Sequence, residues 1–172
     1  HRLFRRQRQM CIRDSFIDYM ALLCKKHDHV YGLLIGDGQN HDALQEQIND
    51  TGFSDRILIT GYVDKMNEIY WELDLSVLFT AFEGLPNVLI ESAASGVPSV
   101  AEDVCGNREI VLHGKNGYIV PDGDIKQAVI HTEELIANPE RLKEMGNFAR
   151  EWAVEQFNQD VQIEKLINTV CP

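Results

Sequence analysis

The sequence predicts an α/β fold in which helices cover both faces of a parallel sheet, giving three layers. From residue 16 onward, short apolar runs typical of buried strands alternate with amphipathic stretches typical of helices. Strands separated by helices need crossover connections, and such connections join parallel strands. From Asp124, which suits the N-cap of a helix, the pattern is mostly helical, with a break at Asn138-Pro139. We therefore expect a helical carboxyl-terminal tail after the sheet.

The predicted elements follow one another along the chain in a regular order. Strands are expected in VYGLLIGDG, RILITGYV, LSVLFTA, VPSVAED and GYIV. Helices are expected in FIDYMALLCKK, HDALQEQIND, DKMNEIYWEL, PNVLIESAAS and REIVLH. Asp64 suits the N-cap of the third helix, in which Tyr70 and Trp71 are expected to be packing residues. Pro86 is expected near the first position of the fourth helix, where its missing N–H costs nothing.

Composition excludes several classes of function. The formal net charge of -11 repels phosphate backbones, so we expect no nucleic-acid partner. No apolar run approaches the ~18 residues of a membrane span, and no secretory signal pattern is visible. The cysteines show no metal-ligand spacing; they are Cys11, Cys24, Cys105 and Cys171. We therefore expect reduced thiols, a cytoplasmic protein and no bound metal.

The first fifteen residues, HRLFRRQRQMCIRDS, differ from the remainder of the chain. They contain five arginines and one acid, whereas the rest is strongly acidic. A basic arm or a targeting segment would have this composition. RRQRQMCIRDS also resembles translated sequencing adaptor. We expect residues 1–15 to be a non-native or disordered segment, and we assign no function to its arginines.

EGLPNVLIE, residues 83–91, is the stretch that indicates chemistry. Glu83 follows a predicted strand, and Gly84 lets the backbone turn and approach a ligand. The helix that follows offers the free amides of residues 87–89 to an anion such as phosphate. Glu91 lies one turn inside the same helix and could accept bonds from sugar hydroxyls. A Glu early in a helix also simply complements the helix dipole, worth ~0.3–1 kcal/mol, so the spacing alone leaves both readings open.

A longer series of motifs carries a resemblance to a known family. EGLPNVLIESAASGVPSV, followed by EIV and HGKNGYIVPDGD and preceded by GDG and ITGYV, resembles the carboxyl-terminal domain of family 4 retaining glycosyltransferases. The resemblance covers roughly residues 16–172, which we expect to be the donor-binding domain, incomplete at its start. It implies a Rossmann-like domain that forms one half of a GT-B fold. It also implies a retaining, hexosyltransferase-type transfer of sugar from a nucleotide donor.

The resemblance assigns roles to individual residues. It implies that Glu83 contacts the donor sugar as the catalytic residue and that Glu91 holds the ribose. The amides of the helix start are implied to hold phosphate. The full donor-binding set is Glu83, Gly84, Leu85, Pro86, Asn87, Val88, Leu89 and Glu91, and the residues near the nucleobase are Tyr62, Val63 and Lys65.

The resemblance also implies which substrate, cofactors and further domain to expect. Such enzymes bind a nucleotide sugar as donor substrate and need no other cofactor and no metal. The family's opening V-G-R strand and K-G are replaced here by the suspect first segment, and the amino-terminal acceptor domain lies outside the chain. Cys105 stands where Gly is common, and Thr80 where Ser is common. We expect this fragment alone to be inactive, and any peripheral contact with the inner membrane face to occur through the missing domain.

Two other readings stay open at the level of sequence. The chain could be a non-catalytic nucleotide-binding α/β module. It could also be part of a sugar-nucleotide epimerase of the GT-B type, which would need further carboxylates and His upstream. The sequence does not identify the donor sugar, the base or the acceptor.

Overall fold

The computed structural model describes residues 14–36, 40–80, 84–104 and 106–158, in which helices and parallel strands alternate. In chain order the elements are α1 (14–24), β1 (Gly32–Ile35), α2 (His41–Thr51), β2 (Ile57–Gly61), α3 (Met66–Tyr70), β3 (Ser76–Leu78), α4 (Asn87–Ala94), β4 (Ser99–Glu102), α5 (Asn107–Ile110), β5 (Gly117–Val120), α6 (Ile125–Ala137) and α7 (Pro139–Phe157). The α/β class and the helical carboxyl-terminal region are confirmed.

Each pair of adjacent strands is parallel, as the crossover helices require. The hydrogen-bonded ladders divide the described strands into two groups, β1-β2 and β3-β4-β5, where the sequence had predicted one sheet. In the second group Ser76 lies opposite Ser99, and Ser99 lies opposite Gly117. Because parallel strands share their direction, the loops after them leave from the same edge of each group.

One hydrophobic core joins the two groups of strands. It combines Tyr19 and Leu23 of α1 and Ile48 of α2 with Ile57 of β2 and Val100 of β4. A second cluster, around Leu89, Ala101 and Ile110, packs α4 and α5 against β4. A third joins Ala93 of α4 to Ala149 and Ala153 of α7, where small side chains let the helices approach closely. Burial of apolar side chains of α4 in these two clusters therefore holds the helix in place.

Helix boundaries agree with the sequence at some caps and not at others. Asp124 caps α6 by accepting from the Gln127 amide at 3.0 Å, and the break at Asn138-Pro139 separates α6 from α7. Asp64 does not cap α3, which begins after Lys65 without a side-chain cap bond. Pro86 is the N-cap of α4 and not its first helical residue. Boundaries of this kind are set by backbone geometry within one or two residues.

Within the described ranges, no helix combines the length and the apolar character that a membrane crossing needs.

Candidate functional site

The segments predicted to hold a ligand follow the carboxyl ends of the strands. Residues 62–65 follow β2, residues 84–91 lead into and form α4 after β3, and residues 121–124 follow β5. Ligands of open α/β sheets bind beyond these strand ends. Glu83, the predicted catalytic residue, and Cys105 lie outside the described residues.

The start of α4 presents backbone amides without a side-chain cap. Pro86, with φ -78° and ψ 98°, is extended and turns the chain into the helix. Its carbonyl accepts from the Leu89 amide at 3.0 Å. The amides of Asn87 and Val88 meet no acceptor in the described part of the chain. Among the described residues, two of the three amides assigned to phosphate therefore have no acceptor, and the third is already engaged.

The residues around this helix start differ in exposure. Gly84, Leu85 and Val88 are exposed, and no described atom comes near the position of a Gly84 Cβ. Pro86 is buried, and the Leu89 side chain is fully enclosed in the second core cluster. The buried side chains hold the turn while its exposed surface faces solvent, which is the arrangement a binding loop needs.

Glu91 is exposed on α4 and has a buried neighbour that sequence reasoning treated only as packing. The Tyr70 side chain is buried, and its hydroxyl oxygen lies 3.5 Å from Glu91 Oε2 and 3.3 Å from the Val88 carbonyl oxygen. Burial, the charge of Glu91 and the hydrogen bond to Glu91 together raise the pKa of Tyr70 to about 12. The phenol therefore stays protonated at neutral pH and acts as a donor. Trp71, which directly follows α3, was also expected to pack; it is 70% exposed and does not pack in the core.

The predicted nucleobase turn lies between β2 and α3. Tyr62 is exposed, and its hydroxyl donates to Asp64 Oδ1 at 3.4 Å. Lys65 Nζ lies 2.8 Å from Glu68 Oε1, with both side chains exposed. An exposed pair of this kind is worth little, so Lys65 can exchange its partner for a ligand at small cost. Val63 is half-buried beside them.

Glu102, at the end of β4, is a buried carboxylate that sequence reasoning missed. Its Oε2 accepts from the Thr80 amide at 2.7 Å and its Oε1 from the Gly123 amide at 2.9 Å. Burial raises the pKa of Glu102, and the two backbone donors oppose that rise only in part. The side chain therefore connects the segments that follow β3, β4 and β5. The signal in the sequence was an acid inside the otherwise apolar strand VPSVAED.

A separate depression lies beside α5. Its volume is about 480 Å³, and His113, Ile119 and Pro121 line it together with an ion pair between Asp103 and Arg108. The hydrogen bond from Arg108 holds the pKa of Asp103 below its usual range. Its lining includes none of the residues predicted to bind a donor. Within the described part, no group of three or more His, Cys, Asp or Glu side chains is arranged to hold a metal.

The fold and this edge define a class of protein: a parallel α/β domain that presents a helix start and polar loops beyond its strands. Residues 13–152 match the model of the family described as glycosyl transferases group 1. That match covers most of the chain, so the protein belongs to this family.

Individual relatives agree with the family. The chain is 32% identical over 128 residues to N-acetyl-alpha-D-glucosaminyl L-malate synthase of Bacillus anthracis, a match that covers 74% of this chain and 34% of that protein. It is 26% identical over 156 residues to poly(ribitol-phosphate) alpha-N-acetylglucosaminyltransferase of Staphylococcus aureus strain COL, covering 90% of this chain and 32% of that protein. The chain thus spans about a third of the length of these relatives.

Solved structures share the fold. A mutant of S. aureus TarM, in complex with fondaparinux, alpha-GlcNAc-glycerol and UDP, matches with a TM-score of 0.85 and 26% identity, over 92% of this chain and 32% of that one. Anabaena HepE in complex with UDP matches with a TM-score of 0.82 and 23% identity, over 91% of this chain and 44% of that one. The domain is thus structurally similar to those of GT-B glycosyltransferases.

Proposed function

We propose that this chain is the donor-binding part of a retaining glycosyltransferase and holds a nucleotide-diphosphate sugar at the start of α4. The observation that carries the proposal is the pairing of open amides at Asn87 and Val88 with an exposed carboxylate, Glu91, one turn further along the same helix. An anion and a hydroxyl-bearing group joined in one molecule match that pairing.

The diphosphate is assigned to the helix start. Free N–H groups in the first turn of a helix, together with the helix dipole, favour a phosphate group there. The chain as a whole carries a formal net charge of -11, so local amides have to supply the attraction that the overall charge opposes. The amides of Asn87 and Val88 would also stabilise the charge that builds up on the diphosphate as the bond between the anomeric carbon and the phosphate oxygen breaks. No metal or other cofactor takes part in this proposal.

The ribose is assigned to Glu91 and the base to the turn after β2. An ionised carboxylate accepts hydrogen bonds and donates none, which matches neighbouring ribose hydroxyls. The exposed ring of Tyr62 offers a surface on which a base can stack, and Val63 and Lys65 flank it.

The donor hexose is assigned to the residues before the helix. Gly84, Leu85 and Pro86 form the approach to α4, and the absence of a side chain at Gly84 leaves space for the sugar. The catalytic role of Glu83 rests on its place in the motif. The named activities of relatives support a hexosyl donor, since they include N-acetylglucosaminyltransferase and mannosyltransferase. The presence of UDP in the TarM complex supports a nucleotide donor.

The acceptor is assigned to a domain beyond this chain. The chain spans about a third of the length of these relatives. On this proposal a second domain forms the other side of the substrate cleft. On this proposal the chain alone binds donor without transferring sugar. The complete enzyme would work in the cytoplasm, with any contact to the inner membrane face made by that second domain.

Calorimetry tests the proposal. The 172-residue chain is titrated with UDP and with GDP, and one of them is expected to bind. Glu91→Ala should weaken that binding about 10- to 100-fold, the loss expected when hydrogen bonds to a charged group are removed. Glu151→Ala, an exposed carboxylate on α7, is the matched control and should leave the affinity unchanged. Equal affinity in Glu91→Ala and wild type would remove the ribose assignment.

A further inference from the structure

We propose that Tyr70 is a positioning residue for Glu91, whose carboxylate it holds in the orientation that receives the ribose. The inference rests on the proposed function, because it takes the ribose role of Glu91 as given. It adds a residue that neither the motif nor the comparisons assign.

The geometry combines a buried donor with an exposed acceptor. Tyr70 is 4% exposed, so its ring has little freedom, whereas Glu91 is exposed on α4. The phenol oxygen lies 3.5 Å from Glu91 Oε2. An exposed glutamate otherwise samples several rotamers, and ordering it on ligand binding costs free energy. A fixed donor beside the Glu91 carboxylate removes part of that cost before the ligand arrives.

The chemistry leaves Glu91 free to bind its ligand. A phenol has one proton to donate, and a carboxylate has about four acceptor positions. The Val88 carbonyl oxygen at 3.3 Å and Glu91 Oε2 at 3.5 Å share that proton. At most one bond from Tyr70 therefore reaches Oε2, which leaves Oε1 and the remaining position on Oε2 for ribose hydroxyls. The pKa of Tyr70 lies far above neutrality, so the phenol does not become a competing anion.

Tyr70 also connects separate parts of the proposed site. It is the last residue of α3, which follows the predicted nucleobase turn directly. Its hydroxyl lies 3.3 Å from the carbonyl of Val88, whose own amide is assigned to phosphate. The Tyr70 side chain thus contacts both the first turn of α4 and the Glu91 carboxylate. It connects them to the predicted nucleobase turn, because α3 follows that turn directly.

The test measures recognition of ribose and not affinity alone. The chain is titrated with UDP or GDP, whichever binds more tightly, and with the 2′,3′-dideoxy form of the same nucleotide. The ribose ratio is the dissociation constant of the dideoxy nucleotide divided by that of the ribonucleotide. It reports how much the ribose hydroxyls contribute to binding. Tyr70→Phe should reduce this ratio about 3- to 10-fold, which is the effect expected when one hydrogen bond that orients Glu91 is removed. Adding Tyr70→Phe to Glu91→Ala should reduce it no further.

A second buried tyrosine is the matched control. Tyr19 is 1% exposed, and its hydroxyl lies 2.7 Å from Thr132 Oγ1, within the core. Tyr19→Phe also removes a buried hydroxyl and should lower the midpoint of thermal unfolding. It should leave the ribose ratio at the wild-type value. A role for Tyr70 that is only structural would give the same result in Tyr70→Phe.

The outcomes distinguish the positioning role of Tyr70 from the proposed donor-binding function. An unchanged ratio in Tyr70→Phe, with a reduced ratio in Glu91→Ala, overturns this inference and leaves the proposed function standing. No binding of UDP or GDP to wild type overturns both. A variant-free measurement covers the case in which Tyr70→Phe does not fold: the ¹³Cζ resonance of Tyr70 should move more with the ribonucleotide than with its dideoxy form. Equal shifts would contradict the inference.

Discussion

Replacing Glu102 with glutamine tests the claim that one buried carboxylate holds together the loops of the ligand-binding edge. The substitution keeps the size of the side chain and removes one acceptor. Glutamine can still accept from one backbone amide through its oxygen. Its amide group then faces the other donor, either that of Thr80 or that of Gly123.

The expected magnitude follows from these contacts. Wild type has bonds of 2.7 Å and 2.9 Å to a carboxylate that is 5% exposed. The variant loses one bond and leaves a buried N–H unsatisfied, which costs about 1–3 kcal/mol. Removing a charge whose burial was unfavourable offsets part of this cost. We expect a loss of about 1–3 kcal/mol in the free energy of unfolding.

The effect should depend on pH in a defined direction. The pKa of Glu102 is raised above its ordinary 4.5 in the folded chain. A group of this kind adds stability that is present below the unfolded pKa and is lost as pH rises through the folded pKa. The wild-type advantage over Glu102→Gln should therefore be larger below pH 4.5 than at neutrality.

Urea unfolding at acidic and neutral pH measures both effects. Glu151→Gln, at an exposed site, is the matched control. An unchanged m-value would show that the variant keeps the native extent of burial. Equal midpoints for wild type and Glu102→Gln at both pH values would show that the Glu102 carboxylate does not hold these loops together.

Three further predictions concern packing, capping and ionisation. Gly146→Ala should destabilise by about 1–3 kcal/mol in urea, because its Cβ would collide with the Gly96 carbonyl where α7 crosses α4. Asp124→Ala should cost about 1 kcal/mol by thermal melting, because it removes the acceptor for the Gln127 amide; Asp124→Asn should recover most of this. Between pH 10 and 12 wild type should lose about 2 kcal/mol more of its free energy of unfolding than Tyr70→Phe, because stability present below the unfolded pKa of Tyr70 disappears as pH reaches its folded value of about 12. Parallel alkaline profiles would contradict that assignment.

The sequence predicted the parts of the fold that depend on local pattern. Alternating apolar and amphipathic segments located the strands and helices, because burial of one face imposes a period on the chain. The Asp124 cap and the break at Asn138-Pro139 were also readable, since each depends on residues a few positions apart. The Asp64 cap was wrong, because the turn after β2 continues to Lys65 before α3 begins.

The parts that depend on distant contacts were not predictable. Glu102 meets Thr80 and Gly123, which lie 22 and 21 residues away in the chain. Tyr70 meets Glu91 across 21 residues, so its helix alone could not distinguish packing from positioning. The division of the described strands into two groups also depends on how separate elements pair. The roles assigned to the residues of EGLPNVLIE stay predictions.

A crystal structure of the chain with UDP or GDP bound would test most directly whether the start of α4 holds the nucleotide. Diphosphate oxygens should lie within hydrogen-bond distance of the Asn87 and Val88 amides, and ribose hydroxyls should lie on the Glu91 carboxylate. A nucleotide bound elsewhere, such as in the depression between Asp103 and His113, with the start of α4 unoccupied, would contradict this placement.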